Sequence, residues 1–165
     1  MRIIIAGSRT VSEMDVRMAL QRCFWTGFVT AVVSGTATGA DQYGEAWAEE
    51  NQIDVCRFPA EWEKYGKRAG PMRNKVMSEN AEGLIAVWDG QSRGTYSMID
   101  LARKRGLRIT ILRTDTNTME EYPPAGELAK IWEIAEERAA IKEHDGGMSR
   151  LQAEREAAAE VLHSQ

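Results

Sequence analysis

Apolar and polar positions divide this chain into two alternating kinds of segment. Short, nearly continuous apolar runs recur at RIIIAG (2–7), TAVVSG (30–35), DVCRFP (54–59), GLIAVWDG (83–90) and RITILR (108–113). Between them, at 13–24, 40–51, 71–80 and 95–106, apolar residues return with helical spacing. Continuous apolar runs suit strands covered on both faces, and their alternation with helices is the pattern of βαβ units around a parallel sheet. Each helix has a start signal: Ser12 ahead of Met14 and Asp15, Gly39 with Asp41 in the first turn, Pro71 at the first position, and Thr95 after Gly94. The pattern predicts an α/β fold, a three-layer α/β/α sandwich on a mainly parallel five-stranded sheet.

After Arg113 the pattern changes. The stretch TDTNTMEEYPPAG is polar and proline-bearing, so the domain is expected to end at 114, with a linker over 115–126. In 127–165, Leu128, Ile131, Trp132 and Ala135 share one helical face, and HDGG (144–147) interrupts before a second helix that Ser149 and Gln152 would open as a capping box. This reads as a C-terminal helical hairpin, packed on the body or on another subunit, with a frayed acidic tail as the alternative. A bare surface helix has little use for Trp132 and Ile131, so a homodimer or higher homo-oligomer is expected.

Composition narrows the class. The 165 residues are 43% hydrophobic and 28% charged, and no apolar run approaches the ~18 residues that span a membrane. The opening MRIIIAGS enters a glycine turn too soon for a signal peptide, so no membrane association and a cytoplasmic location are expected. Cys23 and Cys56 have neither CxxC spacing nor a paired framework and read as reduced packing residues. Both histidines, His144 and His163, fall in the C-terminal segment, which argues against a metal site and a histidine base. Net charge is −4, but residues 1–118 carry 16 Lys and Arg against 14 Asp and Glu, while 119–165 carry 5 against 11. A near-neutral body with an acidic end lacks the strongly basic face of nucleic-acid binders.

Ligands of open α/β sheets bind beyond the carboxyl ends of the strands, so the candidate chemistry lies in the loop after each strand. The first strand leads into Gly7, Ser8 and Arg9. After the second comes SGTATGAD: Gly35 and Gly39 free the backbone, Ser34 and Thr36 offer hydroxyls, and the amides of Gly39, Ala40 and Asp41 would open a helix toward a phosphate. Asp41 suits a helix-start acceptor or a ribose partner. A glycine turn that merely joins strand to helix would look the same. The fourth strand repeats the design in DGQSRGT, with Gly90 and Gly94 freeing the backbone, Ser92 and Thr95 donating, Arg93 adding charge and Asp89 offered to a sugar. Between the third and fourth strands, PAEWEKYGKRAGPMRNKVM gathers Arg68, Arg73 and Asn74 near Trp62 and Tyr65. Arg73 is expected to bind phosphate with Arg9, and Trp62 or Tyr65 either stacks on a base or packs as core or lid.

Together these segments resemble the SLOG superfamily of Rossmann-like nucleotide-binding proteins, in its YspA-like branch, over about residues 2–113. The resemblance implies a Rossmann-like domain that binds a nucleotide or nucleotide-derived small molecule, ADP-ribose-like or cyclic, as a sensor or sequestering protein needing no further cofactor. Some members of the superfamily are phosphoribohydrolases whose PGGxGTxxE loop carries a catalytic glutamate. Here RGTYSM keeps Gly94 and Thr95 but places Met98 at the glutamate's position, and Asn74 splits the basic pair of MRNKVM. Met98 cannot move a proton, so an enzymatic reading would need Glu45 or Asp89 (or Asp100) as the acid. DNA-processing members leave a single-stranded DNA-binding module as a third reading, against which the charge balance argues.

Overall fold

The computed structural model describes residues 1–163. Its elements run β1 (Arg2–Gly7), α1 (Glu13–Arg22), β2 (Ala31–Ser34), α2 (Ala40–Glu50), β3 (Asp54–Arg57), α3 (Trp62–Tyr65), α4 (Ala69–Glu79), β4 (Gly83–Trp88), α5 (Arg93–Lys104), β5 (Arg108–Arg113), β6 (Thr118–Tyr122), α6 (Glu127–His144) and α7 (Arg150–His163). The strands form one sheet in the order β3-β2-β1-β4-β5-β6, parallel except for β6. Strand order reverses between β1 and β4, where a crevice opens at the carboxyl ends of such sheets. Gly7 pairs with Val87 in register there.

Side chains alternate across the sheet and divide the core in two. Ile3 and Ile5 of β1, with Val32 and Ile85, meet Val16, Ala19 and Leu20 of α1 and Ala40 and Ala48 of α2 on one face. Ile4, Val33, Leu84 and Ala86 meet Met77 of α4 and Met98 and Ile99 of α5 on the other. The sheet is therefore covered on both sides, as the continuous apolar runs require. At Gly44 of α2 a Cβ would lie 2.7 Å from Ile5 Cγ2, so the absent side chain sets how closely α2 approaches β1.

Helix starts follow local chemistry. Ser12 and Asp15 form a reciprocal capping box at α1. Ser92 caps α5, its hydroxyl accepting from Thr95 N at 3.3 Å, so α5 begins at Arg93 instead of Thr95. Helix α4 begins at Ala69, and Pro71 sits in its first turn, where a missing N–H costs nothing. Ser149 Oγ accepts from Gln152 N, but the Gln152 amide turns to Glu156, so the box expected at α7 is only half formed.

The stretch 115–126 is not a plain linker. Asn117 takes a left-handed conformation (φ 53°), the chain reverses, and β6 pairs antiparallel with β5 from Arg113↔Thr118 to Ile109↔Tyr122. A sixth strand thereby covers the edge that β5 would otherwise leave open. The C-terminal helices pack on the body: Trp132, 1% exposed, meets Trp25 and Phe28 edge-on at 5.5 and 5.7 Å and donates its Nε1–H to Glu82 O at 3.0 Å. Arg108 stacks over the Trp132 ring and pairs with Glu136. Trp132 and Ala135, two of the four residues on the apolar face of α6, are thus buried within the chain.

Among the described residues no helix is long and apolar enough to cross a membrane, and no group of His, Cys, Asp and Glu has the arrangement of a metal site. Both cysteines are free, and burial pushes the Cys23 thiol up to about 11, the setting of an inert packing residue.

Candidate functional site

The loops after β1, β2, β3 and β4 and the first turns of α4 and α5 enclose a cavity of about 500 Å³, within the usual range for small-molecule sites. Of the residues singled out in the sequence, Gly7, Arg9, Gly35, Thr36 and Asp41 line it from the β1 and β2 side, and Trp62, Arg73 and Asn74 from the α3–α4 side. Ser92, Gly94 and Thr95 close it from α5, beside Arg93. The two glycine-bearing loops therefore open onto one hollow at the point where strand order reverses.

Arg73 and Asn74 tie these loops together. The Arg73 guanidinium donates to Gly35 O and, through Nε, to Asn74 Oδ1 at 3.0 Å. Asn74 Nδ2 donates to Gly94 O at 3.3 Å. The missing side chain at Gly35 leaves room for the guanidinium, since a Cβ there would collide with Arg73 Nη1. Arg9, Arg73 and Arg93 are all without a salt bridge to a carboxylate among the described residues.

The backbone amides of the β2 loop serve the loop itself. Asp41, 4% exposed, accepts from Gly35 N at 2.9 Å and Ala37 N at 3.4 Å, and Ser34 Oγ accepts from Thr36 N at 3.0 Å. Thr36 is held at φ 57°, a conformation uncommon for a non-glycine residue. Gly39 and Ala40 lie under the β1 loop, where a Cβ on Gly39 (φ 87°) would meet Ser8 O at 2.8 Å. The Gly35, Thr36 and Ala37 amides are thus spent within the loop, and Gly39 and Ala40 are not on the cavity wall.

The start of α5 lies on the cavity wall. Ser92, Arg93, Gly94 and Thr95 all face the cavity, and a Cβ at Gly94 would meet nothing within 4 Å. Ser92 N and Thr95 N are taken by Asp89 and by the Ser92 cap, and the positive end of a twelve-residue helix and the Arg93 side chain converge there.

Several predicted site residues lie off the cavity wall. Ser8 is buried and straps the switch strands together, donating from N to Val87 O and accepting from Asp89 N at 3.1 Å. Asp89 accepts from Thr10, Gln91 and Ser92. Burial pushes its carboxyl upward, but those bonds outweigh burial and hold it below the ordinary range. It closes the β4 loop and does not line the cavity. Gly90 backs onto the Arg113–Asp115 pair. Glu45 is held by Ser34 Oγ at 2.6 Å and Arg57 Nε at 2.8 Å, Ser34 faces it, and Arg68 is exposed outside the cavity. The residues that pattern reading missed, among them Ala37, Pro59, Ala60, Gly70 and Met77, are small or apolar walls without chemistry of their own to announce them.

Burial dominates the electrostatics. It pushes the Asp41 carboxyl up, against Arg73 and the amides of Ala37 and Gly35, and draws the Arg73 guanidinium down, against Asp41 and reinforced by Arg9. Both shifts come from lost water, and no salt bridge joins the two side chains among the described residues. Because the folded state binds the Asp41 proton more tightly than the unfolded chain, its contribution to stability is complete below the unfolded value and is lost as pH rises through the folded one. The variant Asp41→Asn is therefore expected to match the parent in urea melts near pH 4 and to gain on it toward pH 8. The variant Asp41→Ala, which strands the Gly35 N–H, is expected to lose about 1–3 kcal/mol.

Residues 1–65 match the model of the YspA, cpYpsA-related SLOG family. The gene 61 protein of Mycobacterium phage D29 is 31% identical over 116 residues, covering 66% of this chain and 93% of the phage protein. The chain belongs to the SLOG superfamily. Its SLOG fold is shared with DNA processing protein A (DprA) from Streptococcus pneumoniae, solved by X-ray methods, at a TM-score of 0.54 and 18% identity over 67% of this chain. The match spans 49% of DprA, so the chain corresponds to about half of that protein, and the likeness is one of fold.

Proposed function

We propose that this SLOG protein binds a nucleotide or nucleotide-derived small molecule, ADP-ribose-like or cyclic, in the switch-point cavity, and acts as a sensor or sequestering protein. The observation that carries this reading is the convergence of Arg9, Arg73 and Arg93 with the start of α5 on one cavity, where none of the three arginines is salt-bridged to a carboxylate among the described residues. A phosphate group offers the missing charge, and guanidinium forks suit its geometry. Asp41, the carboxylate on the wall, is engaged by the β2 loop, and Trp62, 51% exposed at the rim, offers a face to a base.

The same geometry favours binding over turnover. Met98 lines the cavity where the phosphoribohydrolases carry their glutamate, and Glu45 and Asp89 are committed elsewhere. Incubation with AMP, NAD and ADP-ribose is expected to release no free base by chromatography. The variant Glu45→Gln should hold nucleotide affinity within about twofold, as befits a change outside the site. Base release abolished by Glu45→Gln would replace the binding reading with a hydrolase. Affinity for single-stranded DNA exceeding that for nucleotides and falling steeply with salt would replace it with a DNA-binding one, the direction that DprA's name suggests.

A further inference from the structure

A second cleft opens where α7 packs back across the body. It encloses about 270 Å³, just under the usual range for small-molecule sites, and its walls include Arg17, Leu20 and Gln21 of α1, Trp47 of α2, and Leu151 and Arg155 of α7. Helix α2 reaches both sites: Asp41 in its first turn borders the switch-point cavity, and Trp47 in its last turn borders this cleft.

Among the described residues no carboxylate lines the cleft, and its two arginines are in different states. Arg17 is neutralised, paired with Glu13 at 2.8 Å and with Glu50 at 2.7 Å. Arg155 has no salt bridge among the described residues, and its Nε, closed off from solvent, has no hydrogen-bond partner. A guanidinium short of acceptors carries an unmet desolvation cost. Its terminal nitrogens are not closed off, so an oxyanion in the cleft meets them and supplies the countercharge that the fold withholds. Neutral donors are unspent as well. The indoles of Trp25, Trp88 and Trp132 each donate Nε1–H to an oxygen, whereas that of Trp47 has no partner among the described residues, and neither has the exposed Gln21 amide. Beside these donors stand apolar walls, with Leu20 buried, Trp47 half-buried and Leu151 exposed.

Donors without acceptors next to ring and aliphatic surface suit a molecule with one oxyanion and one apolar end. We propose that this cleft is a second binding site, separate from the switch-point cavity, for a small organic anion. Arg155 holds its carboxylate or phosphate, and Leu20, Trp47 and Leu151 seat an apolar group about the size of one ring.

The test is titration calorimetry on the full chain with benzoate and phenyl phosphate, each against its small counterpart, acetate or inorganic phosphate. The Arg9→Ala, Arg93→Ala double variant is titrated alongside, to discount anions that enter the other cavity. At least one aromatic anion is expected to bind parent and double variant alike, about tenfold or more tighter than its small counterpart, the worth of burying a ring. Benzoate alone marks a carboxylate site, and phenyl phosphate alone a phosphate site. Arg155→Ala should weaken that binding about tenfold or more, the scale of a lost charged hydrogen bond. Leu151→Asp, which sets a carboxylate at a residue 52% exposed, should weaken it too, both variants keeping the parental Tm. No binding of either aromatic anion to the double variant, an affinity untouched by Arg155→Ala, or acetate and phosphate binding as tightly as the aromatic anions overturns the proposal.

Discussion

Replacing Arg73 by alanine is expected to lower nucleotide affinity about a hundredfold, the scale on which losing a hydrogen-bonded charge that meets a ligand's charge acts. The residue has two roles in the cavity. Its guanidinium is positioned for a ligand phosphate, and it ties the β2 loop, through Gly35 O, to Asn74 and so to the start of α5. Alanine removes the charge and frees both loops, so the entropy of ordering them is added to the binding step. Arg73→Lys separates the roles, since an ammonium keeps the charge but cannot fork between Gly35 O and Asn74 Oδ1. Its affinity is expected to fall between parent and alanine variant. In isothermal titration an Arg73→Ala protein that keeps parental affinity would place the anion elsewhere in the cavity.

Trp132→Ala is expected to cost about 3–5 kcal/mol of unfolding free energy, as large aromatic truncations in cores do. For a chain of this length that corresponds to a fall in Tm of about 6–20 °C in calorimetry. The change opens a hole between Trp25, Phe28 and the alanines of α6 and α7, strands the Glu82 carbonyl that accepts from Trp132 Nε1, and removes the ring beneath Arg108. The transition should stay single, because α6 and α7 share one core cluster with β1 and α1. Two separate transitions in the parent protein would mean that the C-terminal helices fold as an independent unit.

The fold was legible in the sequence wherever burial is two-sided. The runs RIIIAG, TAVVSG and GLIAVWDG are apolar because both faces of their strands meet helices, and that requirement is written directly into composition. Strand β6 was not legible. Its sequence TMEEY lies at the sheet edge with residues half-buried or exposed, and two glutamates beside a proline pair look like a linker. The α3 turn was hidden for a related reason, being too short for any helical period.

In the site, the loops that matter were visible as glycine, hydroxyl and arginine clusters after strands. Which loop amides face outward was not. The sequence of the β2 loop allows Asp41 either to cap α2 or to fold back on Gly35 and Ala37, and only the left-handed turn at Thr36 selects the second. Asp89 and Glu45 were equally ambiguous, since a carboxylate spoken for by backbone amides or by Arg57 is identical in sequence to a free one. Trp132 showed that it needed cover, but the identity of that cover, Trp25 and Phe28 of the same chain, depended on contacts across more than a hundred residues.

Native mass spectrometry of the parent and an Arg9→Ala, Arg93→Ala double variant, each mixed with AMP, ADP-ribose and cyclic di-AMP, tests the site most directly. Both substitutions remove exposed arginines without a carboxylate partner, so the fold should be untouched. The parent is expected to hold one nucleotide per chain and the double variant none. A parent that stays bare with all three, or a variant that holds its nucleotide as firmly as the parent, would contradict an anion site built from these arginines.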